Sequence, residues 1–446
     1  MGPLRRWTAS FLTLLALAAC LSNGSAFTVA HTLLADEFSI DESTIANTYW
    51  PVTTWAIGGA LFALVAVPLM EDHGIYWPFL ASWVAMIVCI VPQAVARNYA
   101  TVLVTRFLTG GFVGIIATSS ISILTGLWSD ERTRGMWVGG YMAAYIIGSS
   151  VGPVIGSIVL STGAGWRAIF WTQAVYLAVL LPFLALLLPQ VQAHVEPKST
   201  QTSIPVTVRR AILMLATEPL VLSCTAWTSF LLGTIYLFTQ SVEQVYLELY
   251  GWDATQAGFV QAATVVGELC SIPFLFLTNS LYWADARRNG RGTPRAEARL
   301  HLALPGGLIG VTGGMMVYAF SSYPHVHWMG PTVGLAMVGC GSVIVINCVA
   351  SYVVDAYADV AGSAMTALAL GENSFIAFLP LAAQPMYTRL GLNWASFLLA
   401  CVSLALSTIP LFVFAKAWKV GPRGYLREVQ SRGRTLESRT TTTGSL

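Results

Sequence analysis

Charged side chains are scarce in this sequence of 446 residues. Asp, Glu, Lys and Arg make up 10% of the chain and hydrophobic residues make up 55%, whereas soluble domains average about 25% charged residues. So few charges cannot cover a water-facing surface, which excludes a cytosolic enzyme, a disordered protein and a coiled coil. The formal net charge is only +2, so the composition offers no basic surface for a nucleic-acid partner.

Signatures of catalysis and cofactor binding are also missing. The seven cysteines all lie in apolar runs and form no C-x-x-C pair, so neither a disulfide framework nor a zinc site is expected. The phosphate-binding G-x-x-x-x-G-K-[ST] and the metalloprotease H-E-x-x-H patterns are absent, and no G-x-S-x-G has plausible partner residues. We therefore expect no enzyme activity, no catalytic residue, no cofactor, no metal site and no direct use of ATP.

What the sequence does contain is a series of long apolar runs. About 20 apolar residues in a helix cross the ~30 Å hydrocarbon core of a bilayer, and runs of that length recur along the whole chain. We predict an all-α membrane protein with twelve transmembrane helices. The predicted spans cover residues 10–34, 48–70, 77–97, 101–127, 135–160, 168–188, 217–242, 255–278, 300–321, 327–352, 362–387 and 391–415.

The first of these runs has a second interpretation. Arg5 and Arg6 precede a short apolar stretch that ends in small residues, as in a secretory signal peptide. Apolar character resumes at Phe27, and the rest of the chain is polytopic, so we favour a first membrane helix.

The longest polar interruption divides the spans into two halves. We predict an N-terminal six-helix bundle over 1–188, a central loop over 189–216, a C-terminal six-helix bundle over 217–416 and a polar tail over 417–446. Two bundles of six are typical of transporters with a central cavity between the halves.

The basic residues predict the orientation. With twelve spans both termini lie on one side, and most of the 23 Lys and Arg residues fall in the tails and loops of that side. By the positive-inside rule this side is the cytoplasm, whereas the outer loops are acidic, with Glu37, Glu243 and Asp253. We expect a multi-pass protein of the plasma membrane, with no obligate protein partner.

The predicted fifth span contains three glycines spaced four residues apart. It reads Gly148-Ser149-Ser150-Val151-Gly152-Pro153-Val154-Ile155-Gly156. Glycines at this spacing share one helix face and permit close backbone approach, and Pro153 removes a helical hydrogen bond and bends the helix. Helix packing explains most such patterns, but the included proline makes this one more specific.

This pattern resembles the antiporter motif in the fifth span of the major facilitator superfamily. The stretch 106–111 is similar to the span-four motif, 166–171 resembles the usual opening of span six, and 352–357 resembles the connection between spans ten and eleven in fungal twelve-span drug–proton antiporters. The resemblance extends from about residue 8 to 423. It implies the major facilitator fold and the export of a drug, polyamine or secondary metabolite.

The sequence departs from the family pattern at three places. The loop between spans two and three keeps Gly74 but has Ile75 and Tyr76 where the family usually has two arginines, which puts the charged latch of the inner gate in doubt. Fungal relatives generally carry a basic residue near the position of Glu372, and Ser157 replaces the final glycine of the span-five pattern.

Three charged side chains fall inside predicted spans: Arg106, Glu268 and Glu372. An ionised side chain at mid-bilayer costs about 2.5–3.5 kcal/mol on insertion scales, so it should face a cavity or a partner. By the resemblance, spans eight and eleven lie where the halves meet, which makes Glu268 and Glu372 candidates for proton coupling. A structural ion pair or hydrogen bond, or direct binding of a cationic substrate, remains the alternative for either glutamate.

Arg106, Trp55 and Trp227 are candidates for lining a substrate cavity. Arg106 is alternatively a structural residue that fixes span four, and membrane tryptophans more often pack against lipid. The sequence thus predicts a proton-coupled secondary active transporter that exports a small organic solute, such as a fungal metabolite, toxin or drug, by alternating access. The alternatives are a transporter of polyamines or other organic cations, and a membrane sensor that binds without transport.

Overall fold

The computed structural model describes residues 2–40, 48–192, 204–288, 294–409 and 411. Within these ranges the regular structure is entirely helical. Apolar segments in a bilayer must satisfy their backbone hydrogen bonds internally, and helices do so within each segment.

In its described residues the N-terminal half contains seven α-helices. They are α1 (Pro3–Ser25), α2 (His31–Phe38), α3 (Trp50–His73), α4 (Tyr76–Ala94), α5 (Tyr99–Leu127), α6 (Glu131–Ser161) and α7 (Trp166–Gln192). The region predicted as a central loop contains a further helix, α8 (Ile204–Thr217), which the sequence did not predict.

The C-terminal half has more interruptions. Its helices are α9 (Pro219–Tyr250), α10 (Ala254–Val260), α11 (Ala262–Cys270), α12 (Ile272–Arg288), α13 (Ala303–Pro305), α14 (Gly314–Ser321), α15 (Met329–Ala356), α16 (Ala361–Phe378), α17 (Ala383–Leu390) and α18 (Leu392–Ser407). A π-helical segment, Gly306–Gly313, lies in predicted span nine. The predicted tail over 417–446 lies outside the described residues.

The predicted membrane helices are largely confirmed. In the described part of the chain, ten helical stretches are long and apolar enough to cross a membrane, and each coincides with one predicted span. Predicted spans two and twelve correspond to two shorter apolar helices, Trp50–Ala66 and Leu392–Ser407. The chain therefore has an all-α membrane fold.

The two ends of the molecule differ in charge. We call the end with Glu37, Glu243 and Asp253 the acidic end, and the end with Arg134 and Arg287 the basic end. Asp130 at the basic end caps α6 by accepting hydrogen bonds from the backbone and hydroxyl of Thr133, and these bonds hold the pKa of the Asp130 carboxyl below its usual value.

Between the described helices, the halves have two main lines of contact. In the first seam, α6 packs against α10, α11 and α12; in the second seam, α3 packs against α16. Because the halves touch along these helices, side chains on them are placed to join or separate the two bundles.

Candidate transport cavity and bundle interface

A cavity of about 1240 Å³ lies between the two halves. The N-terminal half contributes walls from α3, α5 and α6, and the C-terminal half contributes walls from α12, α15 and α16. Exposed residues of the basic end, among them Glu131 and Arg134, also line it, so the cavity extends to that end of the molecule.

One wall of the cavity carries a row of hydroxyl groups on α5. Thr118, Ser122 and Thr125 line the cavity, and their spacing of four and three residues puts them on one helix face. Each hydroxyl donates to a backbone carbonyl of its own helix. Their oxygens therefore act as hydrogen-bond acceptors toward the cavity. Much of the remaining lining is apolar, including Met142 and Met365.

The halves are joined at the acidic end. His31 Nε2 lies 3.0 Å from Glu243 Oε2, and the two side chains are 12% and 11% exposed. The Thr53 hydroxyl donates to the Ala377 carbonyl oxygen at 2.6 Å. The cavity is thus accessible from the basic end and closed by side-chain contacts at the acidic end.

Sequence analysis missed the contact between His31 and Glu243. Glu243 was predicted in an outer loop, and this placement is wrong because α9 continues to Tyr250 and ends at Gly251, which has a left-handed φ of 67°. The partners are separated by 212 positions in the chain. No pattern of neighbouring residues in the sequence predicts such a pairing.

Glu268 is fully buried where the halves meet. Ser150 of α6 donates a hydrogen bond of 2.5 Å to Glu268 Oε1. The second carboxylate oxygen, Oε2, has no hydrogen-bond partner among the described residues. Ser150 lies between Gly148 and Gly152, so the structure brings this carboxylate into contact with the antiporter-like motif.

Glu372 occupies a different environment on α16. Its side chain is half-buried, and Ala369, three residues earlier on the same helix face, lines the cavity. Its carboxylate interacts with the Thr228 hydroxyl of α9 through a hydrogen bond. It also interacts electrostatically with Tyr141 and Tyr145 of α6. Glu372 is therefore close to the cavity, whereas Glu268 is held within the first seam.

Arg106 is fully buried and bonded to the backbone of the N-terminal half. Its Nη1 donates to the Asn23 carbonyl at 2.5 Å, its Nη2 to the Gly24 carbonyl at 2.6 Å and its Nε to the Pro51 carbonyl at 3.2 Å. Because α1 ends at Ser25, its last carbonyls need partners, and a cation suits this negative end of the helix dipole. These contacts favour the structural interpretation of Arg106.

The two candidate tryptophans lie away from the cavity lining. Trp55 is 3% exposed and packs against Gly24 and Tyr236. Trp227 is fully buried against Gly307 within the C-terminal half. Neither residue is among those that line the cavity in this conformation, and a role for them in substrate binding stays a prediction.

The three motif glycines face span one. A methyl group on Gly148 would lie 2.6 Å from the Cα of Ala18, and one on Gly152 would lie 2.7 Å from the carbonyl oxygen of Ser22. Gly156 lies against the carbonyl oxygen of Ala26. With Pro153 inside α6, this close approach agrees with the packing expected from the glycine spacing. The role of the motif in conformational change stays a prediction.

The basic end of the C-terminal half is held by ion pairs. Arg295 bonds Asp285 at 2.7 Å, and Arg299 bonds Asp355 at 3.0 Å. The hydrogen bonds to Asp285 raise the pKa of the Arg295 guanidinium. In the N-terminal half, the loop that departs from the family pattern has a buried Ile75 instead of a cation.

Comparison with known proteins agrees with this architecture. The profile of the Major Facilitator Superfamily matches residues 12–380. The transporter paaT of Penicillium rubens is 29% identical over 392 residues, which cover 82% of this chain and 70% of the relative. The cercosporin MFS transporter CTB4 of Cercospora nicotianae is 29% identical over 436 residues, with coverages of 92% and 83%.

A further relative is the efflux pump atB of Aspergillus terreus. It is 30% identical over 392 residues, which cover 81% of each chain. The profile match spans most of the described helices, and the relatives are fungal transporters. The resemblance seen in the sequence is thus confirmed, and the chain belongs to the major facilitator superfamily of membrane transporters.

Proposed function

We propose that this transporter is a proton-coupled antiporter that exports a small organic solute by alternating access. The observation that carries the proposal is the cavity of about 1240 Å³ between the halves, together with Glu268 at the seam, bonded to Ser150 in the antiporter-like motif. Burying an ionised carboxylate costs free energy, and the cost is higher when one of its oxygens has no hydrogen-bond partner. Binding of a proton or a cation lowers this cost.

The proposed cycle uses the contacts between the halves. In this conformation a solute enters from the basic end, and the acidic end is held by the contacts of His31 with Glu243 and of Thr53 with Ala377. Breaking these contacts and closing the basic end would present the cavity to the other side. Relative movement of α6 and α11 would break the contact of Ser150 with Glu268, so the carboxylate would exchange its proton at a defined stage.

The cavity lining supports an amphipathic solute. Hydroxyl oxygens on α5 would accept hydrogen bonds from a solute, and apolar side chains such as Met142 and Met365 would contact its apolar part. Relatives named as an efflux pump and as a cercosporin transporter support a secondary metabolite, toxin or drug.

The orientation follows from charge. The basic end faces the cytoplasm by the positive-inside rule, which places both termini there and makes loading from the cytoplasm an export step. We propose the plasma membrane as the site. The position of Glu372 beside the cavity favours one second candidate function, transport of a polyamine or another organic cation.

Sealed vesicles with an imposed pH gradient test the proposal. Proton movement is followed while hydrophobic metabolites and organic cations are added one at a time. We expect the pH gradient to collapse only when a transported solute is added. A response to hydrophobic metabolites would support the first candidate function, and a response to organic cations would support the second. Solute binding without proton movement, by folded and correctly oriented protein, would contradict antiport. Binding without any solute flux would identify a sensor.

A further inference from the structure

Helix α8 has a position that the transport cavity does not explain. Glu218, which joins α8 to α9, accepts a hydrogen bond of 3.1 Å from Tyr357, the residue that follows α15. Asp355 in the last turn of α15 pairs with Arg299 at the basic end. Helix α8 therefore meets the membrane-spanning helix α9 at the basic end, where the bundle reaches the membrane surface.

One face of α8 packs against the protein. Ala211 is 1% exposed and Met214 is fully buried, and α8 contacts α16 and α3. These are the two helices of the second seam, one from each half. Helix α8 therefore bridges the halves beside the line where the cavity walls separate.

The opposite face of α8 is exposed and mostly apolar. Arg209, Ile212, Leu213 and Ala216 follow one another at spacings of three, one and three residues, which places them on one stripe of the helix. Ile212 is 52% exposed, Arg209 and Ala216 are also exposed, and Leu213 is half-buried. Acyl chains would cover this stripe if the helix lay in the membrane interface.

The charges of α8 are all positive. Residues 204–217 contain Arg209 and Arg210 and no acidic residue. Arg209 lies on the exposed stripe, and Arg210 is half-buried beside it. Helices that combine an apolar stripe with basic residues lie in the plane of the membrane interface, and their cations favour anionic headgroups.

We propose that α8 is an interfacial helix that binds an anionic phospholipid, with Arg209 on the headgroup phosphate and Ile212 among the acyl chains. Because α8 contacts both α3 and α16, a lipid bound there would support the second seam from the basic end. This proposal goes beyond transport itself, and it does not depend on proton coupling or on which solute is carried.

Native mass spectrometry of the full chain in detergent tests the headgroup contact. Phosphatidylglycerol is the anionic probe and phosphatidylcholine the neutral one, and the first lipid bound is measured. For Arg209→Gln we expect about fivefold weaker binding of phosphatidylglycerol, the effect of one basic residue near an anionic surface. Binding of phosphatidylcholine should not change, and Arg209→Lys should retain most of the preference.

Arg287→Gln is the matched control, since it removes an exposed cation from the same end but from α12. It should leave the first binding event unchanged. The proposal is wrong if Arg209→Gln binds phosphatidylglycerol as the unmodified chain does, or if Arg287→Gln loses as much.

Photocrosslinking in vesicles of both lipids tests the position of the stripe. Benzoylphenylalanine at position 212 should crosslink to phospholipid, whereas at position 214 it should crosslink to α16 or α3. Both positions are on α8, so misplacement of the whole helix would alter both products. Crosslinks from position 212 that contain no lipid would overturn the proposal even if the charge variants behaved as expected.

Discussion

The two seams between the halves are built from different chemistry. The first seam has hydrogen bonds in its middle and at its basic end. In the middle Ser150 donates to Glu268, and at the basic end Asn279 Nδ2 donates to the Arg132 carbonyl at 3.1 Å. At the acidic end Gly258 packs against the Ser157 hydroxyl, which has no hydrogen-bond partner among the described residues.

Among the described side chains, the second seam has a hydrogen bond between α3 and α16 at its acidic end. Thr53 donates to the Ala377 carbonyl, and Gly59 lies beside the Asn373 side chain. Further toward the basic end, residues of both helices line the cavity instead, among them Ala60, Ala63, Leu64, Met365, Thr366 and Ala369.

This difference distinguishes the two seams at the basic end. Hydrogen bonds between buried groups are directional and costly to leave unpaired, whereas small apolar side chains can separate into a cavity without losing a specific partner. Helices of both seams line the cavity there, but in the first seam the hydrogen bond of Asn279 to the Arg132 carbonyl still joins the halves. Each seam also includes a helix with one membrane carboxylate, Glu268 on α11 and Glu372 on α16.

The largest expected effect is loss of proton coupling in Glu268→Gln and Glu372→Gln. Glutamine keeps the size of the side chain, and at position 268 it can still accept a hydrogen bond from Ser150, but it cannot take up a proton. In sealed vesicles we expect each variant to lose solute-driven proton movement while keeping solute binding.

The matched control for both variants is Glu248→Gln, an exposed carboxylate on α9, which should transport normally. Variants that still pump against the gradient would place proton coupling elsewhere. If only one variant loses proton movement, proton coupling would be assigned to the seam that contains that glutamate.

The next largest effect is expected for Gly258→Ala in the first seam. The added methyl group would overlap the Ser157 hydroxyl and lie 2.8 Å from Val29. Such overpacking costs about 1–3 kcal/mol, which corresponds to a shift of about 5- to 150-fold away from the closed acidic end. Labelling of Ala30→Cys, a buried position at the same end, by a membrane-impermeant maleimide from that side should rise accordingly.

Gly362→Ala is the corresponding change on the second-seam helix α16. A methyl group there meets nothing within 4 Å, so labelling should stay at the level of the parent. Equal labelling of the two alanine variants would show that packing at Gly258 does not close the acidic end.

A smaller effect is expected for Asn279→Ala. Loss of its hydrogen bond to the Arg132 carbonyl should cost about 1 kcal/mol and widen the first seam at the basic end. Distances between spin labels on Arg134→Cys and Arg287→Cys should then include a longer component.

Asn393→Ala serves as the control, because Asn393 also donates to backbone carbonyls but within the C-terminal half. It should lower thermal stability without lengthening the distance. A longer component in both variants would point to general loosening instead of a specific seam contact.

The smallest effect is expected for Thr53→Val, which removes the polar contact of the second seam at the acidic end. One neutral hydrogen bond contributes about 0.5–1.5 kcal/mol, and the valine keeps the packing volume. Maleimide labelling of a cysteine at position 29 should rise by about two- to tenfold. Thr53→Ser keeps the hydroxyl and should label as the parent does; if it labels like Thr53→Val, the hydrogen bond is not the cause.

Much of the fold was predictable because a membrane helix can be recognised from one continuous stretch of sequence. A continuous apolar run must be helical in a bilayer, so ten of the predicted spans recur as full-length helices and two as shorter ones. Close backbone approach on the glycine face of α6 was also predictable from the glycine spacing, but the identity of its partner, span one, was not. Helix ends were less predictable, as the extension of α9 past Glu243 illustrates.

Partners in the interior were not predictable. Arg106 was predicted either to line the cavity or to fix span four, and the sequence did not show that it bonds the carbonyls at the end of α1. These carbonyls are free to accept hydrogen bonds because α1 ends at Ser25. No residue pattern near Arg106 predicts that helix end. Helix α8 was missed because its short stretch includes two arginines and lies within a polar region.

By itself the sequence determined the membrane class, the helical spans, the family and the presence of carboxylates within the spans, because each depends on composition or on spacing along one helix. Only the tertiary structure decided that Glu268 meets Ser150, that His31 meets Glu243 and that the cavity between the halves reaches the basic end. These features depend on side chains from different helices meeting, and the geometry of that meeting is set by the packing of the whole bundle.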